Sequence, residues 1–318
     1  MMRLAPLFFA LLALCFLGCT GAPKSAADSA VTASADAPGG KHFFWKVSDD
    51  NSSVWLLGSV HFADSTFYPL DGVIDSAFEK ADELAVEINL SDDDVNENVA
   101  QQTMRRGILP PDKTLDAVLP RAVWNSIDSI CASWNFPVAG LMQMRPWLAA
   151  TTLSVVAIQR AGINPEYGID VVLMDRAATG GKAIVSLETA EEQVDAISDT
   201  DDSDSAGTYY LKTTLREISE LDSMVTKMMR AWKTGDENLL REVMNDEPED
   251  ASDSDKKIKD NIDQKMYLNR NAKMAESVAK FLAEDRNVFV VVGAAHLVLE
   301  KDNVVERLRK KGLKVERF

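Results

Sequence analysis

Two of the chain's three histidines close the same four-residue motif at opposite ends of the sequence: Gly58-Ser59-Val60-His61 and Gly293-Ala294-Ala295-His296. Each motif follows a short apolar run, residues 54–57 in one case and 288–292 in the other, of the kind that forms a buried strand. A glycine where such a strand ends, with an imidazole three residues on, delivers a metal ligand or a base to the rim of a sheet. Two such deliveries imply that the chain ends converge on one site. Two further apolar runs end on carboxylates, Glu87 after Val86 and Glu188 after Leu187. Two imidazoles and two carboxylates at one sheet edge form a ligand set for a divalent ion with open positions, which manganese, zinc and iron all accept.

Each candidate also has a structural reading. Glu87, inside an apolar strand, is either a ligand or half of a salt bridge to a buried arginine. Glu188 precedes Thr189, and Thr189 and Glu192 have capping-box spacing. Glu188 therefore either lines the site or favours a helix N-terminus. His42, next to Lys41 where the fold is expected to begin, reads as an exposed or edge residue and not as a third ligand. Cys131 has no cysteine partner once the N-terminal segment is set aside, and reads as a buried structural thiol.

The elements that must position these residues alternate. Strands are expected over 43–47 and 53–57, paired through a turn at 49–51, and over 83–88, 182–187, 288–292 and 313–318. Helices are expected over 70–81, 171–178, 190–197, 208–232, 256–282 and 300–311. From about 93 to 160 the pattern is helical and broken by prolines, which reads as an inserted cap. Short strands alternating with helices predict an α/β fold with a mixed central sheet and a helical insertion. Ligands of open α/β sheets gather beyond the carboxyl ends of the strands, where the four candidates lie.

Residues 1–18 hold one basic residue, Arg3, and an apolar run of about 14 residues, short for a membrane span but suited to a secretion signal. The run ends Leu17-Gly18-Cys19, similar to a bacterial lipobox although Phe16 stands where leucine is usual. Cys19 is then the lipidated residue, and Thr20 beside it predicts outer-membrane attachment facing the periplasm. An ordinary cleaved signal, giving a secreted or periplasmic protein, is the other reading. Residues 19–40 lack large apolar side chains after the cysteine and read as a flexible tether. Residues 41–318 suffice for one large domain. The formal charge of −16 argues against nucleic acid and anionic membrane surfaces as partners, leaving the lipid anchor as the membrane contact. The acidic runs 198–205 and 246–255 read as solvated loops without EF-hand spacing.

The frames 55–61 (Trp-Leu-Leu-Gly-Ser-Val-His) and 291–297 (Val-Val-Gly-Ala-Ala-His-Leu), with Glu87 in 85–88, resemble the TraB/GumN (TraB/PrgY/GumN) family, which is distantly similar to the Tiki metalloproteases. Tyr167-Gly168-Ile169-Asp170, the segment 181–193 with Leu187-Glu188-Thr189, and Arg270-Asn271 extend the match over residues 43–318. The resemblance implies an α/β fold related to erythromycin-esterase-like and ChaN-like proteins, with both histidines at one site. From the Tiki side it implies a manganese- or cobalt-dependent protease. Ala295 departs from the glycine usual in the second motif, which an extended or helical backbone tolerates.

The expected chemistry is metal-assisted hydrolysis, with His61, Glu87 and His296 holding one ion, manganese favoured over cobalt, zinc or iron. Glu188 or Asp170 orients a ligand or acts as base. Arg270 stabilises an oxyanion or neutralises the carboxylates, and Tyr167 donates a hydrogen bond. The substrate is a peptide, or a small-molecule ester or amide. Two other readings stay open: an envelope lipoprotein that binds a peptide or signal molecule without catalysis, and a hydrolase that uses the histidines without metal.

Overall fold

The apolar runs pair edge to edge in one six-stranded mixed sheet of order β4-β3-β5-β2-β1-β6. A computed structural model describes residues 42–198, 204–244 and 252–318. The expected signal segment, Cys19 and the tether lie outside the described residues. The strands are β1 Phe44–Ser48, β2 Ser53–Ser59, β3 Glu83–Val86, β4 Ala183–Ser186, β5 Val288–Gly293 and β6 Lys314–Arg317. β4, β3, β5 and β2 run parallel, and β1 is antiparallel to both β2 and β6. A central parallel strand is covered on both faces, so it is apolar throughout instead of alternating. All six residues of β5 are buried accordingly.

Parallel pairing aligns the chemistry. Leu57 pairs with Val291, Ser59 with Gly293, and Val86 with both Val291 and Ser186. All four parallel strands therefore end at one edge, and the residues that follow them emerge side by side. The hydroxyl of Tyr68 donates to the Tyr167 carbonyl (2.8 Å), and Ile169 N donates to Val60 O (3.1 Å), which brings the 165–170 segment against the first histidine motif.

Two apolar clusters fill the interior of the described residues. The larger surrounds the sheet, with Phe43, Phe44, Leu56, Leu57, Leu84 and Phe289 fully buried. The second unites the helices Asp93–Gly107, Arg121–Trp134 and Pro146–Arg160 with Val194 and Leu211, so helices beyond residue 160 complete the layer. No described helix is long and apolar enough to cross a membrane.

The helices depart from the periodicity in physical ways. The expected 208–232 helix is two, Ser205–Ser219 and Leu221–Thr234, because the backbone leaves helical geometry at Glu220 (φ −114°, ψ 8°). The expected 256–282 helix begins earlier, where Ser252 and Asp255 form a capping box, and contains a π-helical turn at Gln264–Leu268. Helices Glu237–Met244 and Ala294–Val298 were not anticipated. The last helix starts at Val304, capped by the Asn303 side chain. Asp204 also corrects the solvated reading of its acidic run: it is buried and ion-paired to Arg145 at 2.8 Å. Residues 199–203 and 246–251 of the two runs lie outside the described residues. Cys131 is buried, and His42 is half-buried with Nε2 3.4 Å from Asp71.

Gly58 lies inside β2 because the chain after β5 crosses directly over it. A Cβ there would stand 2.9 Å from Ala294 Cα, 3.0 Å from its Cβ and 3.1 Å from Phe43 Cβ. The Gly58 carbonyl also accepts the Trp232 indole N–H at 2.7 Å. Gly58→Ala is expected to destabilise the fold by about 1–3 kcal/mol through overpacking against backbone, read as a lowered urea midpoint with an unchanged slope.

Candidate functional site

The sheet edge collects the two imidazoles, two carboxylates and one guanidinium. His61 follows β2, Glu87 and Glu188 follow β3 and β4, and His296 sits in the short helix Ala294–Val298 after β5. Arg270 enters from the helix Asn269–Ala283. Glu87, Glu188, Arg270 and His296 are buried, and His61 and Asp170 are largely so.

Arg270 joins the carboxylates. Its Nη2 donates to Glu87 Oε2 at 2.5 Å and to Glu188 Oε2 at 2.8 Å, and its Nε donates to Glu188 Oε1 at 2.7 Å. Nη1 donates to the Met266 carbonyl in the π-helical turn at 3.1 Å. Two buried carboxylates that face each other repel, and one guanidinium between them makes the arrangement tolerable. Burial pushes Glu87 up, but the Arg270 charge, together with His61 and the Gly293 N–H, outweighs it and holds its carboxyl well below the usual range. Burial pushes Glu188 up against the pull of the same arginine, and the charge of Glu87 adds to the rise. Both readings of Glu87 hold at once, since it pairs with a buried arginine and faces the histidines. The capping box after Glu188 is made by Thr189 and Glu192, and the Glu188 side chain turns to Arg270.

Each imidazole is held by its Nδ1. Asp170 Oδ1 lies 3.2 Å from His61 Nδ1, and Asn271 Oδ1 lies 2.6 Å from His296 Nδ1. The amide of Asn271 donates its Nδ2 hydrogen to the Asp302 carbonyl at 3.0 Å, so its oxygen must face His296. His296 therefore carries its proton on Nδ1 and turns Nε2 toward Glu87, whose Oε1 is 3.8 Å away. Burial and then Arg270 push His296 down to about 3, which keeps it neutral. Burial also pushes His61 down, but the charge and hydrogen bond of Asp170 and the charge of Glu87 raise it above its ordinary value.

Gly293 leaves the gap where these groups meet. A Cβ on it would stand 3.4 Å from Glu87 Oε1, 3.6 Å from His61 Nε2 and 3.7 Å from His296 Cδ2. Gly293 N–H donates to Glu87 Oε1 at 2.7 Å. No three His, Cys, Asp or Glu side chains among the described residues stand at metal-ligand spacing. The donor chemistry nevertheless fits a divalent ion: an ionised carboxylate, two imidazoles, and an oxygen partner behind each imidazole, around a space the missing side chain leaves. Ala295 is helical, so its methyl group is accommodated.

Of the seven site residues named from sequence within the fold, Tyr167 stands apart. Its contacts are with Tyr68, through its carbonyl and a ring separation of 6.5 Å. Its neighbour Gly168 packs on the His61 backbone, where a Cβ would meet His61 O at 2.5 Å. The sequence did not single out Asn271 as the partner of His296, nor Tyr267, whose ring lies 5.6 Å from that imidazole. Asn271 appeared in the sequence only within the Arg270-Asn271 part of the family resemblance, and Tyr267 lies three residues before Arg270 with no signal of its own.

The His296 environment makes a pH prediction. The unfolded chain takes up the His296 proton near pH 6.5, the folded chain only near 3. Between these values the unfolded state binds more protons, so stability is full above about pH 6.5 and falls as pH drops, at most about 1.4 kcal/mol per pH unit. His296→Gln removes this dependence. The stability difference between wild type and variant, from urea unfolding, should shrink steadily from pH 7 to pH 4.

The TraB/PrgY/gumN family model matches residues 43–317, which is the whole sheet and its helices. The chain is 24% identical over 197 residues to the uncharacterized protein YbaP of Escherichia coli (strain K12), covering 61% of this chain and 70% of that protein. It matches YbaP of Shigella flexneri to the same extent. No solved structure matches. With both histidine motifs, Glu87 and the Arg270 helix inside the matched span, the chain belongs to the TraB/PrgY/gumN family.

Proposed function

We propose that this protein is a metal-assisted hydrolase of the cell envelope, with a peptide bond as the favoured target and a small-molecule ester or amide as the alternative substrate. The carrying observation is the convergence of Glu87 Oε1, His61 Nε2 and the His296 ring on the gap at Gly293. His61, Glu87 and His296 would hold the ion, manganese in the first instance, with cobalt, zinc or iron as substitutes. A divalent ion there supplies Lewis-acid chemistry, acidifying a water and polarising a carbonyl.

The chain's own residues prepare that chemistry. Asp170 and Asn271 hold the two Nδ1 atoms and so aim each Nε2 inward. Burial keeps His296 neutral and Arg270 helps keep Glu87 ionised, which are the forms that bind metal. Arg270 spends its Nε and Nη2 donors on the carboxylates, so neutralising them is the role its contacts support. Glu188, less acidic than Glu87, is the carboxylate suited to accept a proton. Tyr167, at the rim, is left to contact substrate. In this reading Cys19 carries a lipid and residues 19–40 tether the domain to the outer membrane on its periplasmic side.

One observation favours the second reading, a non-catalytic lipoprotein that binds a peptide or signal molecule. The Arg270 guanidinium already pairs with both Glu87 and Glu188, so both buried carboxylates have a cationic partner without an ion.

The experiment that decides is metal content with a glycine variant. Gly293 has an ordinary φ of −50°, and an added Cβ meets nothing closer than 3.4 Å. Gly293→Ala should therefore fold with near wild-type stability while filling the gap. Manganese-loaded, desalted wild type should retain near-stoichiometric metal and cleave peptides from a screening library. Gly293→Ala and His61→Ala/His296→Ala should do neither. Absence of metal from wild type after loading with each of the four ions would move the weight to the binding protein or a metal-free hydrolase.

A further inference from the structure

Ser59 is a buried hydroxyl that the fold does not use. The residue is 3% exposed, and its Oγ has no hydrogen-bond partner among the described residues. A hydroxyl shut away from water without a partner is costly, and such a group stands only where other constraints hold it or where a ligand completes it.

Its direction follows from the sheet register. Ser59 pairs with Gly293 across the parallel β2–β5 ladder. Register partners on neighbouring strands project to the same face, and successive residues project to opposite faces. Gly58 projects toward Ala294 and Phe43, as its clashing Cβ shows. Ser59 consequently projects to the other face, the one on which a Gly293 Cβ would meet Glu87, His61 and His296. Along the strand ends the order is Glu87 after β3, the Gly293 gap, then Ser59. A carboxylate acceptor borders one side of the gap and a hydroxyl donor the other.

We infer that Ser59 is a ligand-binding residue of this site, its hydroxyl donating a hydrogen bond to an anionic oxygen bound in the Gly293 gap. The ligand class is a carboxylate, as on a peptide or its hydrolysis product. The inference extends the hydrolase reading above, but the hydroxyl's partnerless burial stands independently of it. Glu87 repels a bare carboxylate, so the ion held by Glu87 and the histidines favours such a ligand, and Ser59 adds a contact that histidine and glutamate ligands do not supply.

Two measurements on the full chain test it. In chelator-treated protein, Ser59→Ala should unfold at the same urea concentration as wild type or a higher one, because it removes an unpartnered hydroxyl. A clearly lower midpoint would show that the hydroxyl has a structural bond and would overturn the inference. The second measurement is acetate affinity, by titration calorimetry, with and without manganese. Ser59→Ala should weaken acetate about tenfold, the worth of one hydrogen bond to a charged group, and Ser59→Thr should restore most of it. Equal acetate affinity in wild type and Ser59→Ala, or no acetate binding to wild type in either condition, would overturn the Ser59 role. Failure of the metal reading shows separately, as wild type that takes up no manganese. Serine-dependent acetate binding to metal-free protein would then still support Ser59.

Discussion

The buried contact of Arg270 with Glu87 and Glu188 is the interaction on which the rest of the site depends. Parallel strands that end at one edge bring two carboxylates into the apolar interior, and neither is tolerable there as a lone charge. One guanidinium meets both through its Nε and Nη2. The planar fork of arginine makes this possible, whereas the point charge of a lysine would not satisfy both carboxylates with the same geometry. The same cation holds Glu87 ionised and, with burial, keeps His296 neutral. One side chain thus sets the protonation of both neighbours.

Arg270 reaches the edge because of the backbone before it. The turn Gln264–Leu268 is π-helical, and its Met266 carbonyl accepts a hydrogen bond from the guanidinium Nη1. An extra residue in the turn rotates everything after it, and such insertions often mark functional sites. Tyr267 from the same turn lies against His296, and Asn271, one residue after Arg270, holds that imidazole by Nδ1. A single helix entry therefore supplies the counter-ion of the carboxylates and fixes the tautomer of a histidine. The second imidazole is held from a different quarter, by Asp170, carried on the segment whose Gly168 packs on the His61 backbone.

Glycine decides where there is room. At Gly58 the crossing chain leaves none, so the position is closed to any side chain for reasons of packing. At Gly293 a methyl group would fit without a clash but would occupy the centre of the site. The two motifs look alike in sequence and use their glycines for different ends. The difference arises because Gly58 pairs with Val292, one register step from Gly293, so that the two glycines face opposite sides of the sheet.

The sequence by itself determined the local terms. Asp170 and Arg270 joined the candidates only through the family resemblance, whereas apolar runs of strand length, the His61 and His296 motifs, and carboxylates at strand ends fixed six strands to within a residue or two and named Glu87, Glu188 and both histidines as one group. These were legible because period, length and breaker residues are short-range properties. Helix breaks at Glu220 and in the π-helical turn were not legible, since both stretches keep an unbroken helical period. Tertiary structure alone decided the strand order β4-β3-β5-β2-β1-β6, the pairing of Ser59 with Gly293, and the choice of Asn271 and Asp170 as partners of the imidazoles. Those contacts join residues up to 272 positions apart in the chain, as between Trp45 in β1 and Arg317 in β6. No local pattern encodes them; they follow from which strands can be covered on both faces and from the need of two buried carboxylates for one shared cation.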